Sequence, residues 1–344
     1  MKTAVLVIIL FCIMIFPHEL GHFIAARRMG VKVNEFAFGM GPAIWQKQGR
    51  ETLYSIRLFP IGGFCAMEGE DGSEGESHDP RAFNNKKPWQ KIVILAAGSF
   101  MNLICAVLIM SLVVGIMGFT TTTLDEVSAG YPAEAAGIMA GDKIIRIDDT
   151  EIKQWNDVSA AISAAGGEAM DVTVKRGSET KVFNVVPMVQ EGTDANGNPV
   201  TGYVIGITCK VSHSPFKAVE SGVKSTWNMA VALFDSLGMI ISGEAGVDDL
   251  SGPVGMVTLV DQTMQYGFWY YGFLTAFICI NLAIMNMLPL PALDGGRILF
   301  ALYTAVTGKA VSEKVEGAIH FGGMMLLFAL MIYVTFHDIL RIFG

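Results

Sequence analysis

TAVLVIILFCIMIFPHELGHFIAA, residues 3–26, decides the fold of this chain. A helix needs about 20 apolar residues to cross the ~30 Å hydrocarbon layer of a membrane, and this run is long enough. Its apolar character breaks only around His18-Glu19-Leu20-Gly21-His22. The bland alternative is a secretory signal peptide with Lys2 as its charged start. Cleavage after the apolar stretch would then discard the most chemically loaded segment of the chain. Three further runs follow: 92–119 (IVILAAGSFMNLICAVLIMSLVVGIMGF), 267–290 and 318–336, the last drawn out as a helix to 340. The expectation is a multi-pass α-helical membrane protein with four transmembrane helices.

Composition agrees with this. Of 344 residues, 52% are hydrophobic and only 16% charged, and mean hydropathy is +0.46. Soluble domains carry about 25% charged residues, so a disordered chain is excluded and an ordinary soluble enzyme disfavoured. The net charge of −8 says little about partners, and no basic stripe suited to nucleic acid is present. The five cysteines (Cys12, Cys65, Cys105, Cys209 and Cys279) are scattered without a CxxC pair. They read as small buried residues rather than a disulfide framework or a metal knuckle.

Lys and Arg near the ends of the spans set the orientation. Only Lys2 precedes the first span, whereas Arg27, Arg28 and Lys32 follow it at once. Lys86, Lys87 and Lys91 lead into the second span; Arg297, Lys309 and Lys314 lie between the third and fourth. This places 27–91 and 291–317 in the cytoplasm, and both termini and the long section 120–266 outside.

That middle section carries an inserted mixed α/β module. EVSAGYPAEAAGIMAGDKIIRIDDTEI (126–152) reads as strand, turn, short helix, turn and alternating strand. A helix at about 155–165 and the strands DVTVKR and KVFNVVPM come next. The order, with GDKIIRID inside it, resembles a PDZ domain, which binds peptides by adding a strand to a sheet edge. DANGN (194–198) reads as a hairpin turn into a strand YVIGI. In 214–242, Phe216, Val219, Val223, Trp227, Ala230, Phe234, Leu237 and Ile241 share one helical face, opposite Lys217, Lys224, Asn228 and Asp235. An amphipathic helix on the outer surface or against the bundle is expected. The acidic run EGEDGSEGE (68–76) reads as a solvated loop.

HELGH is an HExxH sequence. Residues four apart on a helix share a face, so His18 and His22 can reach one zinc ion. Glu19 then stands beside a water activated at that metal, where it can take a proton and pass it to a leaving amine. The alternative, polar residues lining a helix interface, is weak because His and Glu within a membrane helix are costly and usually functional. Pro17 should loosen the local backbone ladder.

Two histidines need a third ligand, leaving a position open. Asp294 is the candidate, in NMLPLPALDGG (286–296), where Pro289 and Pro291 must break a membrane-depth helix. His18 lies nine residues, about 13 Å, before Arg27. Asp294 lies three before Arg297. The two approach the same boundary from opposite chain directions and can meet.

HELGH in a first span, NxxPxPxLDG in a later one and a PDZ module between them resemble the site-2 protease family, more narrowly the bacterial RseP-like regulated intramembrane zinc metalloproteases. The match covers nearly the whole chain. It implies one zinc ion held by His18, His22 and Asp294, with Glu19 as the catalytic base. It also implies that Asn286 and Asn281 contact substrate or the developing oxyanion. The family's Gly motif in the second span fits AAGSFMN (96–102), with Gly98 and Asn102 in place and Ser99 where Pro is common. A single PDZ module departs from the two-PDZ members.

Segment 33–66 matches the family's membrane-associated β-hairpin region. ETLYSIRL (51–58) alternates, and FGMGP and PIGGF supply turns. A scissile peptide must be extended, and an edge strand near the zinc would hold it so; Tyr54, Ser55 and Ile56 are the residues expected to do this. The domain boundaries expected are 1–119, 120–212, 213–266 (amphipathic helix and linker) and 267–344. The function expected is intramembrane cleavage of single-span proteins already trimmed outside, such as anti-sigma factors or remnant signal peptides, in a bacterial cell membrane. A PDZ ligand peptide and lipid are the other partners implied. The rival is a non-catalytic membrane receptor with a structural zinc site, although such a site would need no Glu19.

Overall fold

The computed structural model describes residues 2–70, 79–193, 199–243 and 252–343. The acidic residues 71–76 and the turn at 194–198 fall outside these. The chain forms two compact units, one of residues 1–113 and 219–344, the other of 114–218.

The first unit is a helical bundle with a sheet against it. Its elements are α1 (Lys2–Arg28), β1 (Val33–Gln48), β2 (Leu53–Met67) and α2 (Pro88–Met117). Four of its helices, over Thr3–Arg28, Pro88–Met117, Phe268–Met287 and Lys314–Arg341, are long and apolar enough to cross a membrane. Between lipid-facing helices there is no hydrophobic driving force, so close approach of small residues must do the packing. Gly21 of α1 shows this. A β-carbon there would lie 2.7 Å from the carbonyl carbon of Ala97 and 3.0 Å from Cα of Gly98.

β1 and β2 are each too long for one straight strand. Gly39, Gly41 and Gly62, all at positive φ, fold them back. Residues 53–56 consequently pair on both flanks: Tyr54 with Phe36 and Lys47, Ser55 with Ala37 and Gln46, Ile56 with Phe38 and Trp45. The free edges of this sheet are 43–48 and 63–67. The expectation that 51–58 forms an edge is thus corrected. Phe16 and Phe23, two turns apart on α1, hold the sheet by packing on Phe36 at 5.9 and 4.9 Å between ring centroids.

The second unit follows the element order expected of a PDZ module. It comprises β3 (Phe119–Val127), α3 (Pro132–Ala136), β4 (Lys143–Ile147), β5 (Thr150–Glu151), α4 (Trp155–Ala164), β6 (Met170–Arg176), β7 (Glu179–Val185), β8 (Met188–Thr193), β9 (Pro199–Val204) and β10 (Ile207–Ser212). The main sheet runs β10-β3-β4-β6-β7, with β5 on β4, over a core of Leu124, Ile144, Ile147, Val158 and Val172. YVIGI is not one strand. Gly206 at φ 78° separates β9 from β10, and the Tyr131 ring leaves no room for a side chain there.

The rest of the bundle is α5 (Pro215–Ser242), α6 (Pro253–Gln265), α7 (Phe268–Met287), α8 (Asp294–Thr307) and α9 (Glu313–Phe343). α5 packs on α2 through its small residues: a β-carbon on Gly222 would lie 2.8 Å from the Ser111 nitrogen. Its larger apolar residues Phe216, Val223, Trp227 and Phe234 stay exposed. The expected linker therefore hides a second helix, α6. Its Val260 is buried with Leu10 of α1 and Tyr271 of α7. Its first turn is held by Asp338 of α9, which accepts the Gly252 and Gly255 N–H groups at 2.9 and 2.8 Å.

Candidate metal centre

His18 and His22 face α2 from one side of α1, rings perpendicular, centroids 4.7 Å apart. The Nδ1–H of His22 donates to the Ile94 carbonyl at 2.9 Å. That bond puts the proton on Nδ1 and leaves Nε2 free as a metal ligand.

Asp294 arrives from the far end of the sequence. α7 stops at Met287 because Pro289 and Pro291 cannot continue it. The chain doubles back through Ala292, at φ 71°, and re-enters a helix at Asp294. Gly295 and Gly296 make the doubling possible, since β-carbons there would run into the carbonyl groups of Met287–Leu290.

The three ligand atoms form a near-equilateral triangle. His18 Nε2 to His22 Nε2 is 3.2 Å, and Asp294 Oδ2 lies 3.3 Å from the first and 3.4 Å from the second. Zinc–ligand bonds near 2.05 Å in a tetrahedron put neighbouring ligands about 3.3 Å apart. Asp294 Oδ2 is buried without a hydrogen-bond partner among the described residues, as expected of an atom whose lone pair is meant for a metal. The donor set fits zinc: two imidazoles, one carboxylate, one side open.

The open side faces a cavity of about 390 Å³ lined by Glu19, Glu70 and residues 64–67 of the sheet edge. A β-carbon on Gly63 would lie 3.6 Å from Glu19 Cγ, so the edge strand runs past Glu19. Asn286 Nδ2 is 3.1 Å from His18 Nε2. Asn281, five positions earlier on α7, lies about 140° round the helix from Asn286. Asn102 is fully buried, one turn beyond Gly98, with no hydrogen-bond partner among the described residues. Ser55 is pinned inside the sheet, donating to Glu35 at 2.5 Å, and neither it, Tyr54 nor Ile56 lines the cavity.

Sequence reasoning missed Glu70. The acidic run 68–76 reads as a solvated loop, but Glu70 pairs with Arg297, one turn after Asp294. Glu68 likewise binds Lys32, at 3.1 Å. The turn into α8 brings Arg297 to Glu70, and the pairing of Val33 with Met67 brings Lys32 to Glu68; local pattern carries no sign of either.

A HELGH helix opposed by a distal aspartate within a bundle of membrane-length helices places the chain among multi-pass membrane metallopeptidases. It belongs to peptidase family M50, whose family model matches residues 6–330. A zinc metalloprotease of Clostridium acetobutylicum is 37% identical over 97% of this chain and 96% of its own. One of Clostridium perfringens is 34% identical over 96% of each. Zinc metalloprotease RasP of Oceanobacillus iheyensis is 30% identical over the whole of both. Among solved structures, PDZ domains of SdrC-like proteins from Listeria monocytogenes and Listeria innocua are each 24% identical. Each covers 27% of this chain, and 86% and 97% of their own, with TM-scores of 0.20 and 0.21.

Proposed function

We propose that this chain is an intramembrane zinc endopeptidase that cuts single-span membrane proteins already shortened outside the membrane, anti-sigma-factor-like regulators or remnant signal peptides among them. The observation that carries the reading is the triangle of His18, His22 and Asp294 at zinc spacing, with Glu19 in the same cavity. Zinc, when bound, supplies Lewis acidity toward a carbonyl and a water. Glu19 takes the proton from the attacking water and delivers it to the departing amine. Asn286, beside His18, orients the substrate carbonyl. The relatives named as zinc metalloproteases support the same chemistry.

A helix hides its carbonyls, so the scissile segment must be unwound before attack. The edge at 63–66 has a strand neighbour on one side only among the described residues and runs beside Glu19, and the substrate is held there as an added strand. The inserted unit has its own cavity of about 350 Å³, between α4 and Tyr203–Ile207, which suits a peptide end. The distribution of Lys and Arg supports a cytoplasmic location for 27–91 and 291–317.

The test is single-turnover cleavage of a model transmembrane peptide by the reconstituted protein, before and after chelation. Cleavage lost with the metal and regained with zinc is expected. Undiminished cleavage by the metal-free protein would sink the reading.

A further inference from the structure

Ala292 is one of two non-glycine residues at positive φ among the described residues, and it stands two residues before Asp294. Left-handed backbone is unfavourable for a residue other than glycine and persists only where surroundings over-determine it. The turn's own bonds are local: Leu290 N–H to Leu288 at 2.7 Å, Leu293 N–H to Leu290 at 3.3 Å, Gly296 N–H to Leu293 at 3.1 Å. These close the loop but do not aim it.

The aim comes from α9. His320 Nδ1 accepts the Ala292 N–H at 2.9 Å. Its ring also packs edge-on against Phe300 of α8, at 5.6 Å between centroids. Three residues on, Gly323 opens a notch: a β-carbon there would lie 2.8 Å from the Pro291 carbonyl carbon. Positions three apart lie on one helical face, so a single face of α9 grips both halves of the Pro291-Ala292 turn. His320 Nδ1 is the acceptor this structure gives the Ala292 N–H. No aliphatic residue could supply one at position 320.

We infer that His320, with Gly323, is a positioning residue that sets where Asp294 points. It touches neither metal nor substrate and acts through the Ala292 peptide. The inference rests on the reading of His18, His22 and Asp294 as the zinc site.

The test compares His320→Leu, His320→Asn and Gly323→Val in the full chain in nanodiscs. Zinc affinity is read by competition with a chromophoric chelator, alongside cleavage and the melting temperature of the metal-free protein. Asn can place an acceptor oxygen near the Nδ1 position, whereas Leu cannot. Losing a group that orients a metal ligand typically costs 10–100-fold in affinity, and that loss is expected for His320→Leu. His320→Asn should recover most of it. Gly323→Val, which displaces Pro291 without touching His320, should weaken zinc binding similarly, and the apo melting temperature, lowered by the crowding, reads that cost separately. Labelled-histidine NMR should show His320 neutral, with its proton on Nε2. Parental zinc affinity in His320→Leu, or equal loss in the Leu and Asn variants, overturns the inference. A parent chain that binds no zinc overturns the site reading instead.

Discussion

Gly98 of α2 stands where His22 leaves no room for a side chain. A β-carbon built on it would lie 2.7 Å from His22 Cε1, 2.7 Å from His18 Cε1 and closer still to His22 Nε2. Gly98→Ala should push both imidazoles off the triangle. Overpacking a tight site costs about 1–3 kcal/mol. Zinc affinity should fall at least about tenfold, in line with other disturbances of ligand orientation. Isothermal titration with zinc checks this, and an unchanged affinity would show that the helices yield instead.

Glu19 and Asp294 share the cavity but should fail differently when changed. Glu19→Gln keeps the three ligands, so zinc content should stay at one per chain while cleavage drops by at least about 100-fold, the scale of general acid–base catalysis. Asp294→Ala should lose both. Metal analysis beside single-turnover rates separates the cases. Cleavage near the parental rate by Glu19→Gln would remove it as the base.

Much of this was legible in the sequence because its signals are local. Spans, HELGH and the proline-broken turn each depend on spacing within about 25 residues. The order of strands in the sheet does not. Alternation in 51–58 marks a strand, yet nothing in it says that 35–38 and 43–48 both pair with it. α6 was hidden for a related reason: its first turn is completed by Asp338, 83 residues after Gly255. On α5, Phe216, Val223, Trp227 and Phe234 of the expected apolar face are exposed and Leu237 is partly buried, while Ala218, Gly222 and Thr226, outside that face, are buried.

Asp142 gives the inserted unit a pH dependence of known sign. The side chain is 1% exposed and accepts from Arg176 Nε and Nη2 at 2.7 Å each and from the Met139 N–H at 3.0 Å. Burial raises its pKa, but Arg176 and the Met139 N–H lower it further, so the folded value lies below the ordinary one. The stabilisation is therefore complete above the unfolded pKa of about 3.9 and is lost as pH falls through the folded value. Hydrogen exchange of β4 and β6, corrected for intrinsic rates, should show protection falling at acid pH. In Asp142→Asn that acid-dependent fall should be absent.

Asp338→Ala should loosen α6 without touching the metal. Two N–H groups would lose their acceptor, and loss of a helix cap costs about 0.5–2 kcal/mol. Deuterium uptake across 252–258 should rise, and Asp338→Asn, which keeps an acceptor oxygen, should show a smaller rise. Equal uptake in all three proteins would mean that packing on α1 and α7 suffices.

The sheet edge beside Glu19 carries two residues whose backbone roles proline can separate. Phe64 pairs with Ala37 and Cys65 with Phe36, and neither has a second partner among the described residues. Successive residues in a strand direct their N–H groups to opposite sides, so one of these two donates inward and the other toward the cavity side. Proline removes the donor at either position. Where the lost N–H served the pairing with β1, the sheet should weaken. Where it faced a substrate strand, folding and zinc content should hold while KM rises and cleavage falls. Alanine at the same positions keeps the backbone groups and should cost much less. Proline at Tyr54 or Ser55 is the contrast, because both flanks of that strand are occupied. Either change should disrupt the sheet and lower the melting temperature. Proline at 64 and 65 giving two fully active, equally stable proteins would show that no substrate strand adds here, and holding the scissile bond would fall to Asn286.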